Sequence, residues 1–440
     1  MMKKLLILAY DFPPYVSVGG LRPYAWYRYL KEYGVEPIVV TRQWGNKYGN
    51  ELDYIAPGES NETIVETTEY GTIIRTPYKP NLANRIMLKY GRSKYALIRK
   101  MVTAWYELMQ FFFFVGPKSG LYRGAKTYLQ HNKVDAIIAT VDPYVLLRYA
   151  SILSYKFRVP WIADYRDPWV EKRNKASFLV RLLERKFMQN AAAMTTVSDL
   201  LRKKIGENLA LSNIHIIPNG YDPEAIKQVE HIGQKGDVLR IALAGSIYDW
   251  HPYKSVISAF VEFVQNSDCA PKIELNFFGI NKHKEIDQFV RENNIEKNIH
   301  IYPRIDNVSL LQNLCLHNVM LLFNDYSIVG TKIYDYLGIK RQILFCFSND
   351  AESLKLKEKY YPIKEIEGLS THLQEDLITE TNSGIIVKDK NELMNTLSVI
   401  YEEFEKTGSI ECKSVGYEKY SRKEQSEQLA MIVKEICNKK

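Results

Sequence analysis

The chain has 440 residues, of which 46% are hydrophobic and 25% are charged. This is the composition of a folded globular protein, and the length predicts two or three domains. Fifty-nine basic and 51 acidic residues give a formal net charge of +8, and no block of Lys and Arg is long enough to form a nucleic-acid-binding arm. The excess positive charge favours anionic small ligands or an anionic membrane surface.

The cysteines indicate a reducing compartment. They are five in number, widely spaced and without a C-x-x-C pair, and no signal-peptide cleavage pattern follows the short apolar run at the N-terminus. We therefore expect a cytoplasmic protein. The eight histidines lack the spacing of metal ligands, so we expect no structural metal.

The chain opens on a strand–helix–strand pattern. An apolar run over residues 5–9 breaks at Phe12-Pro13-Pro14 and reaches Gly19-Gly20 before a helical pattern, and residues 36–41 form the next buried strand. Free N–H groups at the start of such a helix can hold an anionic ligand. Neither a dinucleotide fingerprint nor a Walker lysine is present in this loop.

A long aromatic and basic insertion, residues 45–125, interrupts the alternation. Four consecutive phenylalanines, 111–114, end an apolar stretch that is shorter than the about 20 helical residues needed to span a bilayer. The segment 89–115 begins with basic residues among aromatic and aliphatic ones: Lys89, Arg92, Lys94, Arg99 and Lys100. This mixture is typical of a helix lying on anionic headgroups, and a core helix beside a solvated basic face is the alternative.

Strands and helices then alternate in two blocks. Predicted strands lie at 134–140, 160–165, 194–197 and 214–217 in the first block, and at 239–244, 273–278, 298–302, 319–323, 342–347 and 384–387 in the second. Residues 222–237 are polar, poorly periodic and contain proline and glycine, as a linker does. We predict an α/β protein with two doubly wound, Rossmann-like domains, 1–221 and 238–408, followed by a tail, 409–440.

Five motifs, in this order, resemble those of the GT-B glycosyltransferases of family four. They are Phe12-Pro13-Pro14 with Gly19-Gly20-x-Arg22, residues 161–169, Thr196-Val197-Ser198, residues 217–222 and residues 332–337. The resemblance implies two domains facing across a cleft, with the C-terminal helix crossing back to the first. It also implies a retaining hexosyltransferase-type enzyme that moves a sugar from a nucleotide-sugar to a glycan or lipid-linked acceptor, without a metal or other cofactor.

The second domain is predicted to bind the donor. Gly330 and Thr331 open a helix whose free N–H groups can meet phosphate oxygens, and Lys332 adds a positive charge. The resemblance makes Asp335 the second acid of an E-x7-E motif, which accepts hydrogen bonds from the nucleotide ribose. The first acid falls at Ser327, which is not a carboxylate. A local Lys332–Asp335 surface pair is the alternative.

Other residues of the second domain lie where strands end. Gly245 and Ser246 follow the first strand and are predicted to face the donor, with a simple tight turn as the alternative. Lys254 is the nearest candidate for the basic residue that relatives carry after this glycine. Asn324-Asp325 follow another strand and either touch the donor or cap the loop.

Charged residues past a strand end predict the chemical centre of the first domain. Asp164, Arg166 and Asp167 lie among aromatic residues, where charges are costly unless they pair or bind something. Many relatives have a histidine here that contacts the transferred sugar, and this chain has none. These three are therefore our catalytic candidates, with a structural Arg166–Asp167 ion pair as the alternative.

The acceptor and phosphate loop of the first domain is predicted at Gly19, Gly20, Arg22 and Asp142. Arg22 can hold a phosphate of the donor or of a lipid-phosphate acceptor. The resemblance and the basic insertion favour surface-polysaccharide assembly on a lipid carrier at the inner face of the cytoplasmic membrane. Two other functions stay open, a sugar-nucleotide epimerase or hydrolase and a non-catalytic partner protein, which Ser327 supports.

Overall fold

A computed structural model describes residues 2–45, 52–169, 177–209, 213–266, 272–361 and 366–438. The chain forms two compact units: residues 1–218 together with 422–440, and residues 219–421. The segment 222–237, predicted as a linker, therefore belongs to the second unit, where it begins with a short helix. The tail joins the first unit from Arg422 onward.

Most of the predicted strands are present at the expected positions. In chain order the strands are β1 (Lys3–Leu8), β2 (Val35–Arg42), β3 (Ile64–Thr67), β4 (Thr72–Thr76), β5 (Ala136–Thr140), β6 (Trp161–Tyr165), β7 (Ala193–Thr196), β8 (Ile214–Ile216), β9 (Leu239–Ala244), β10 (Ile273–Phe278), β11 (Ile299–Tyr302), β12 (Val319–Phe323), β13 (Gln342–Cys346) and β14 (Gly384–Val387).

The helices fill the connections between these strands. They are α1 (Val18–Tyr29), α2 (Leu82–Tyr90), α3 (Ala96–Met109), α4 (Ser119–His131), α5 (Val145–Phe157), α6 (Ser177–Met188), α7 (Asp199–Gly206), α8 (Pro223–Lys227), α9 (Tyr253–Gln265), α10 (His283–Glu292), α11 (Asn307–Cys315), α12 (Lys332–Gly338), α13 (Ala351–Tyr360), α14 (Leu373–Thr381), α15 (Lys390–Thr407) and α16 (Arg422–Asn438).

The first unit is built on one sheet with strand order β3-β4-β2-β1-β5-β6-β7-β8. Its strands pair in parallel, except for β3 with β4. Because the chain winds outward in both directions from β1 and β5, the order reverses between these two strands. Open α/β sheets bind their ligands outside the carboxyl ends of the strands at such a point.

Helices cover both faces of the first sheet, as its apolar strands require. Leu5 and Ile7 of β1 face a cluster that includes α1 and the C-terminal helix α16. Leu6 and Leu8, which alternate with them, face a cluster built with α4 and α5. The doubly wound prediction is therefore confirmed for this unit, and α16 lies against α1.

The second unit contains an all-parallel sheet with order β11-β10-β9-β12-β13-β14. Its order reverses between β9 and β12, which places a second ligand-binding crevice at the carboxyl ends of those strands. Helices α9 and α15 cover one face of the sheet. Helices α11, α12 and α14 cover the other.

The insertion predicted at 45–125 adds structure that the sequence analysis did not assign. Strands β3 and β4 extend the edge of the first sheet, and α2 and α3 follow them as a helical hairpin. Residues 46–51 of the insertion lie outside the described residues. In the part of the chain that the structure describes, no helix has the length and apolar character needed to cross a bilayer.

Candidate active site

One buried tyrosine fixes α12 to the carboxyl edge of the second sheet. The Tyr336 side chain is fully buried, and its hydroxyl accepts a hydrogen bond from the Ala244 N–H at the end of β9, with an N···O distance of 3.0 Å. Burial raises the pKa of Tyr336, so the hydroxyl stays protonated. Ile333 and Leu337 enter the core from the same helix, so α12 is held firmly at this edge.

Lys332 and Asp335 lie together beside the end of β9. Their side chains form an ion pair with an Nζ···Oδ2 distance of 3.3 Å, and they are 30% and 10% exposed. Gly245 adopts a φ of +101°, and a Cβ there would lie 3.6 Å from Cγ of Lys332. The backbone that follows β9 therefore packs against the stem of this lysine, and three predicted donor residues come together.

The start of α12 offers backbone donors. The helix begins at Lys332 and has only seven residues, so its dipole is small. Among the described residues, none accepts a hydrogen bond from the backbone N–H of Lys332 or Ile333. These two N–H groups, after Gly330 and Thr331, are available to an anionic ligand.

Asp325 is held beside the same loop by two ring nitrogens. Its Oδ1 accepts hydrogen bonds from Trp250 Nε1 at 3.0 Å and from His251 Nε2 at 2.7 Å. The Tyr248 N–H donates to His251 Nδ1 at 3.1 Å, which leaves the ring proton on Nε2. A Cβ on Gly330 would lie 3.9 Å from Asp325 Oδ2, and no described residue donates to that oxygen. Asp325 therefore lies beside Gly330, and its Oδ2 is not used by any hydrogen-bond donor among the described residues.

The other candidates of the second unit have different surroundings. Ser246 is exposed next to Gly245. Lys254 is exposed at the start of α9 and lines a groove with Phe347, Asp350 and Asp389, none of which is a predicted donor residue. The hydroxyl of Ser327, where the motif has its first acid, lies 2.9 Å from the hydroxyl of Tyr361. Among the described residues, Lys254 forms no hydrogen bond or ion pair with Lys332 or Asp335.

A buried ion pair occupies the centre of the carboxyl edge of the first sheet. Asp164 at the end of β6 is fully buried, and Arg22 of α1 is 6% exposed. The Arg22 Nε and Nη2 donate to Asp164 Oδ1 at 3.1 and 2.9 Å, while Nη1 donates to the carbonyls of Ile217 and Pro218 at 2.9 and 3.0 Å.

Two threonines complete the surroundings of Asp164. Thr195 of β7 donates to Oδ1 at 2.7 Å, and Thr140 of β5 donates to Oδ2 at 2.7 Å. The carboxylate therefore ties three strands to α1, and both of its oxygens are occupied. Arg22 uses four of its five side-chain N–H groups in these contacts, so this pair holds the strand ends in place. The expectations that Arg22 binds a phosphate and that Asp164 touches substrate do not match this geometry.

A second cluster surrounds the point where the first sheet reverses order. Asp11 follows β1, and its Oδ2 accepts a hydrogen bond from Ser17 Oγ at 2.6 Å. A Cβ on Gly19 would lie 2.8 Å from Asp11 Oδ2 and 3.4 Å from Arg166 Nη1, so the carboxylate and the guanidinium both lie next to this glycine. The Ser17 hydroxyl also caps α1 by accepting the Gly20 N–H at 3.0 Å.

Two carboxyl groups of this cluster are hard to ionise. Burial raises the pKa of Asp11, and the nearby Asp142 carboxyl raises it further, while the hydrogen bond from Ser17 and the charge of Arg166 oppose the shift. Burial also raises the pKa of Asp142, against the charges of Lys118 and Arg166. Paired acids with raised pKa values beside a cation are typical of functional sites.

Arg166 and Asp167 do not pair with each other in the described part of the chain. The Arg166 Nε donates to the Val141 carbonyl at 2.6 Å, which places its guanidinium at the end of β5. The Asp167 side chain is exposed, and its carbonyl accepts a hydrogen bond from Tyr144 Oη at 3.3 Å. The alternative of a structural Arg166–Asp167 ion pair is therefore wrong.

Comparisons with known proteins identify the class. Sucrose-phosphate synthase from Thermosynechococcus elongatus has a similar structure, with a TM-score of 0.61, 14% identity and 100% of both chains covered. The UDP-forming trehalose-phosphate synthase from Burkholderia xenovorans has a TM-score of 0.60, with 10% identity over 98% of this chain and 100% of that chain. Anabaena HepE in complex with UDP-glucose has a TM-score of 0.53, with 12% identity over 98% and 99%. Identities this low establish the fold.

Part of the sequence matches a family model. Residues 23–225 match the model of Glycosyltransferase Family 4. The protein is a glycosyltransferase with the GT-B fold. No curated protein matches its sequence significantly. The predicted resemblance, fold class and enzyme class are confirmed, and the solved relatives include one that binds a nucleotide-sugar.

Sequence reasoning did not single out several residues that the structure places near the ends of the strands. Asp11 immediately follows β1 at the reversal point, and that position is the signal that identifies it. Trp250 and His251 lie 75 and 74 residues from Asp325, so no local pattern links them to it. Among the described residues no three His, Cys, Asp or Glu side chains form a group that could hold a metal ion. The described cysteines are free, and Cys269 lies outside the described residues.

Proposed function

We propose that the glycosyltransferase moves a sugar from a nucleotide-sugar donor to a glycan or lipid-linked acceptor, with retention of configuration and without a metal. We further propose that it serves cell-surface polysaccharide biosynthesis at the inner face of the cytoplasmic membrane. The observation that carries the donor part is the group formed by Lys332, Asp335 and Gly245 at the reversal point of the second sheet. Retention, metal independence and the polysaccharide role rest on the resemblance to family four.

The donor site needs positive groups where the leaving diphosphate develops charge. A metal-free enzyme must supply them from its own dipoles and cations. The free N–H groups of Lys332 and Ile333 and the ammonium of Lys332 meet that need. Lys332 and Asp335 are three residues apart on one helix and partly exposed, so their ion pair stabilises the fold by only about 0.3–0.5 kcal/mol. A phosphate can therefore replace Asp335 as the partner of Lys332 at little cost in stability.

Hydroxyl groups of the donor need acceptors. Asp335 keeps a carboxylate oxygen for the ribose once Lys332 turns to the phosphates, in line with the family motif. The free Oδ2 of Asp325, next to Gly330, is a further acceptor at this edge. Carboxylates accept O–H donors and repel phosphates, so these two side chains fit the hydroxyl-bearing parts of the donor.

The first unit is proposed to bind the acceptor through the cluster of Asp11, Asp142 and Arg166. Carboxyl groups with raised pKa values exchange hydrogen bonds with acceptor hydroxyls, and Arg166 offers a cation to a phosphate or to a developing negative charge. Arg22 and Asp164 act as positioning residues, because they are buried and hold the ends of β5, β6 and β7 through their hydrogen bonds to each other and to Thr140 and Thr195.

A thermal-shift experiment tests the donor proposal. The purified chain is melted in EDTA with a panel of nucleoside diphosphates and nucleotide-sugars. A ligand at about 100 times its dissociation constant stabilises by about 2.7 kcal/mol, which raises the melting temperature measurably. The Lys332→Ala variant loses a charged hydrogen bond worth about 1.5–3 kcal/mol, so we expect its affinity to fall about 10- to 150-fold.

Lys254→Ala is the matched control, because it removes a predicted donor lysine that the structure places in another groove. We expect it to keep the full shift. No shift with any nucleotide, or an equal shift in the Lys332 variant, contradicts the proposal, and the former favours a non-catalytic partner protein. Nucleotide release without any acceptor identifies a hydrolase.

A further inference from the structure

The helical hairpin of the insertion exposes an unusual amount of apolar surface. No residue of the fourteen in α3 is buried, and only Ala83 is buried in α2. Leu97, Met101, Trp105 and Leu108 recur along one stripe of α3 and are 73, 65, 52 and 42% exposed. Most helices of this length take their stability from tertiary packing, whereas α3 packs mainly against α2 and buries none of its own residues.

The apolar stripe continues past the end of the helix. Phe112 and Phe113 are 46 and 59% exposed. Their backbone is fixed to the first unit, because the Arg148 Nη2 donates to the Phe112 carbonyl at 3.0 Å. Phe114 stacks on Tyr122 with ring centroids 3.9 Å apart. The hairpin is therefore anchored at its base while its outer surface stays uncovered.

The same segment is strongly basic. Residues 82–114 contain six Lys and Arg and one acid, a net charge of +5. The one acid, Glu107, pairs with Lys118 at 2.8 Å, so it does not offset the basic surface. Lys89, Lys94 and Lys100 are exposed, whereas Arg99 is turned back to the Lys94 carbonyl at 3.2 Å. A partner must therefore combine negative charge with an apolar layer.

We propose that α2, α3 and Phe112–Phe114 form the surface by which this glycosyltransferase lies on an anionic lipid bilayer. Large aliphatic and aromatic side chains enter the headgroup and upper acyl region, while the flanking lysines contact lipid phosphates, as interfacial helices do. A nucleic acid satisfies the charge but not the exposed Leu, Met and Phe side chains. The biological purpose of this docking rests on the proposed function, since it would bring the enzyme to a membrane-borne acceptor. The docking itself is argued from the surface alone.

Vesicle flotation of the full chain tests the docking surface. Vesicles of equal parts phosphatidylcholine and phosphatidylglycerol are compared with pure phosphatidylcholine, without any substrate. We expect binding to the anionic vesicles that weakens with salt. The variant Lys89→Gln/Lys94→Gln/Lys100→Gln removes three positive charges. We expect each lost charge to lower the vesicle partition coefficient about fivefold. The matched control Lys284→Gln/Lys388→Gln/Lys406→Gln removes the same charge from the second unit and is expected to bind as the wild type does.

A second variant separates the apolar contribution. Leu97→Ser/Met101→Ser/Trp105→Ser is expected to lose about tenfold or more in binding while keeping the wild-type melting temperature, because these side chains are exposed. Should it fail to fold, quenching by brominated lipids replaces it. Quenching greater in the wild type than in Trp105→Phe then locates this ring in the bilayer.

The outcomes are distinct. No binding to anionic vesicles, binding equal for both lipids, or binding unchanged in the lysine variant overturns the proposal. A different result would be self-association that depends on protein concentration and is lost in the serine variant, without any binding to vesicles. It would show that a second copy of the chain covers this surface, and it would also overturn the proposal. Lys332→Ala must bind vesicles as the wild type does, so a failed donor site and a failed docking surface give different results.

Discussion

The Arg22–Asp164 pair offers the sharpest test of the structural account of the first unit. Replacing Arg22 by alanine removes four hydrogen bonds, two to Asp164 and two to the carbonyls of Ile217 and Pro218. It also leaves the fully buried Asp164 with two threonine donors but no cation. Removing one partner of a buried ion pair lowers the free energy of unfolding by about 3–5 kcal/mol, because the other charge stays buried without compensation.

Urea unfolding measures this cost. With a slope of about 3 kcal/mol/M, the upper end for small proteins, the transition of the first unit is expected to shift down by about 1 M or more. Arg202→Ala is the control, because it breaks an Arg–Asp pair in the same unit whose side chains are 50 and 52% exposed. That surface pair contributes at most about 1 kcal/mol.

The phosphate-binding role predicted from the sequence and the positioning role assigned from the structure predict different results for the Arg22→Ala variant. A residue that binds phosphate and does no structural work leaves the unfolding transition of the alanine variant within about 0.5 kcal/mol of the wild type. Nucleotide affinity then falls instead. That pattern would refute the positioning role that we assign to the pair.

The remaining predictions concern titration and backbone geometry. Asp11→Asn is expected to stabilise the first unit at neutral pH, because the raised pKa of Asp11 makes its ionisation unfavourable in the folded state. This gain in the free energy of unfolding should vanish as pH falls to 3.8, the ordinary pKa of an aspartate. Urea unfolding at a series of pH values measures it. Burial lowers the pKa of His317 from 6.5 to about 4, so the second unit becomes less stable as pH falls through that interval, because only the unfolded chain takes up the proton. The His317→Gln variant should lose up to about 3 kcal/mol of this pH dependence in urea unfolding. An unchanged dependence of stability on pH contradicts the assignment. Gly245 has a φ of +101°, so Gly245→Ala is expected to lower the free energy of unfolding by about 1–2 kcal/mol and to weaken nucleotide binding in titration calorimetry. Gly368→Ala is the control, because Gly368 also has a positive φ but has open space around it. This control should lose stability without losing nucleotide affinity.

The strands were the most predictable part of the fold. Buried parallel strands read as continuous apolar runs, so β9, β10 and β12 were located from the sequence within a residue or so. Helices that bury little were missed for the same reason. The ten-residue α13 buries only Ser353, so its sequence carries no apolar stripe to identify it.

The site was predictable only where its residues are close in sequence. Lys332 and Asp335 are three apart on one helix, and their juxtaposition followed from helical spacing. Arg22 and Asp164 are 142 residues apart, and neither residue's neighbours in the sequence reveal that they neutralise each other. The register of the loop after β9 could not be determined from the sequence: Lys254 lines a groove with Phe347 and Asp350, and the loop before it contacts Asp325 through Trp250 and His251.

The central proposal is that the start of α12 holds the diphosphate of a nucleotide-sugar. An experimental structure of the chain with a bound nucleoside diphosphate tests it directly, through the distance from Lys332 Nζ to the nearest phosphate oxygen. The account predicts a charge-assisted contact of about 2.7–2.9 Å, with Asp335 released from its present partner. A diphosphate bound elsewhere, with the Lys332–Asp335 pair intact, would contradict it.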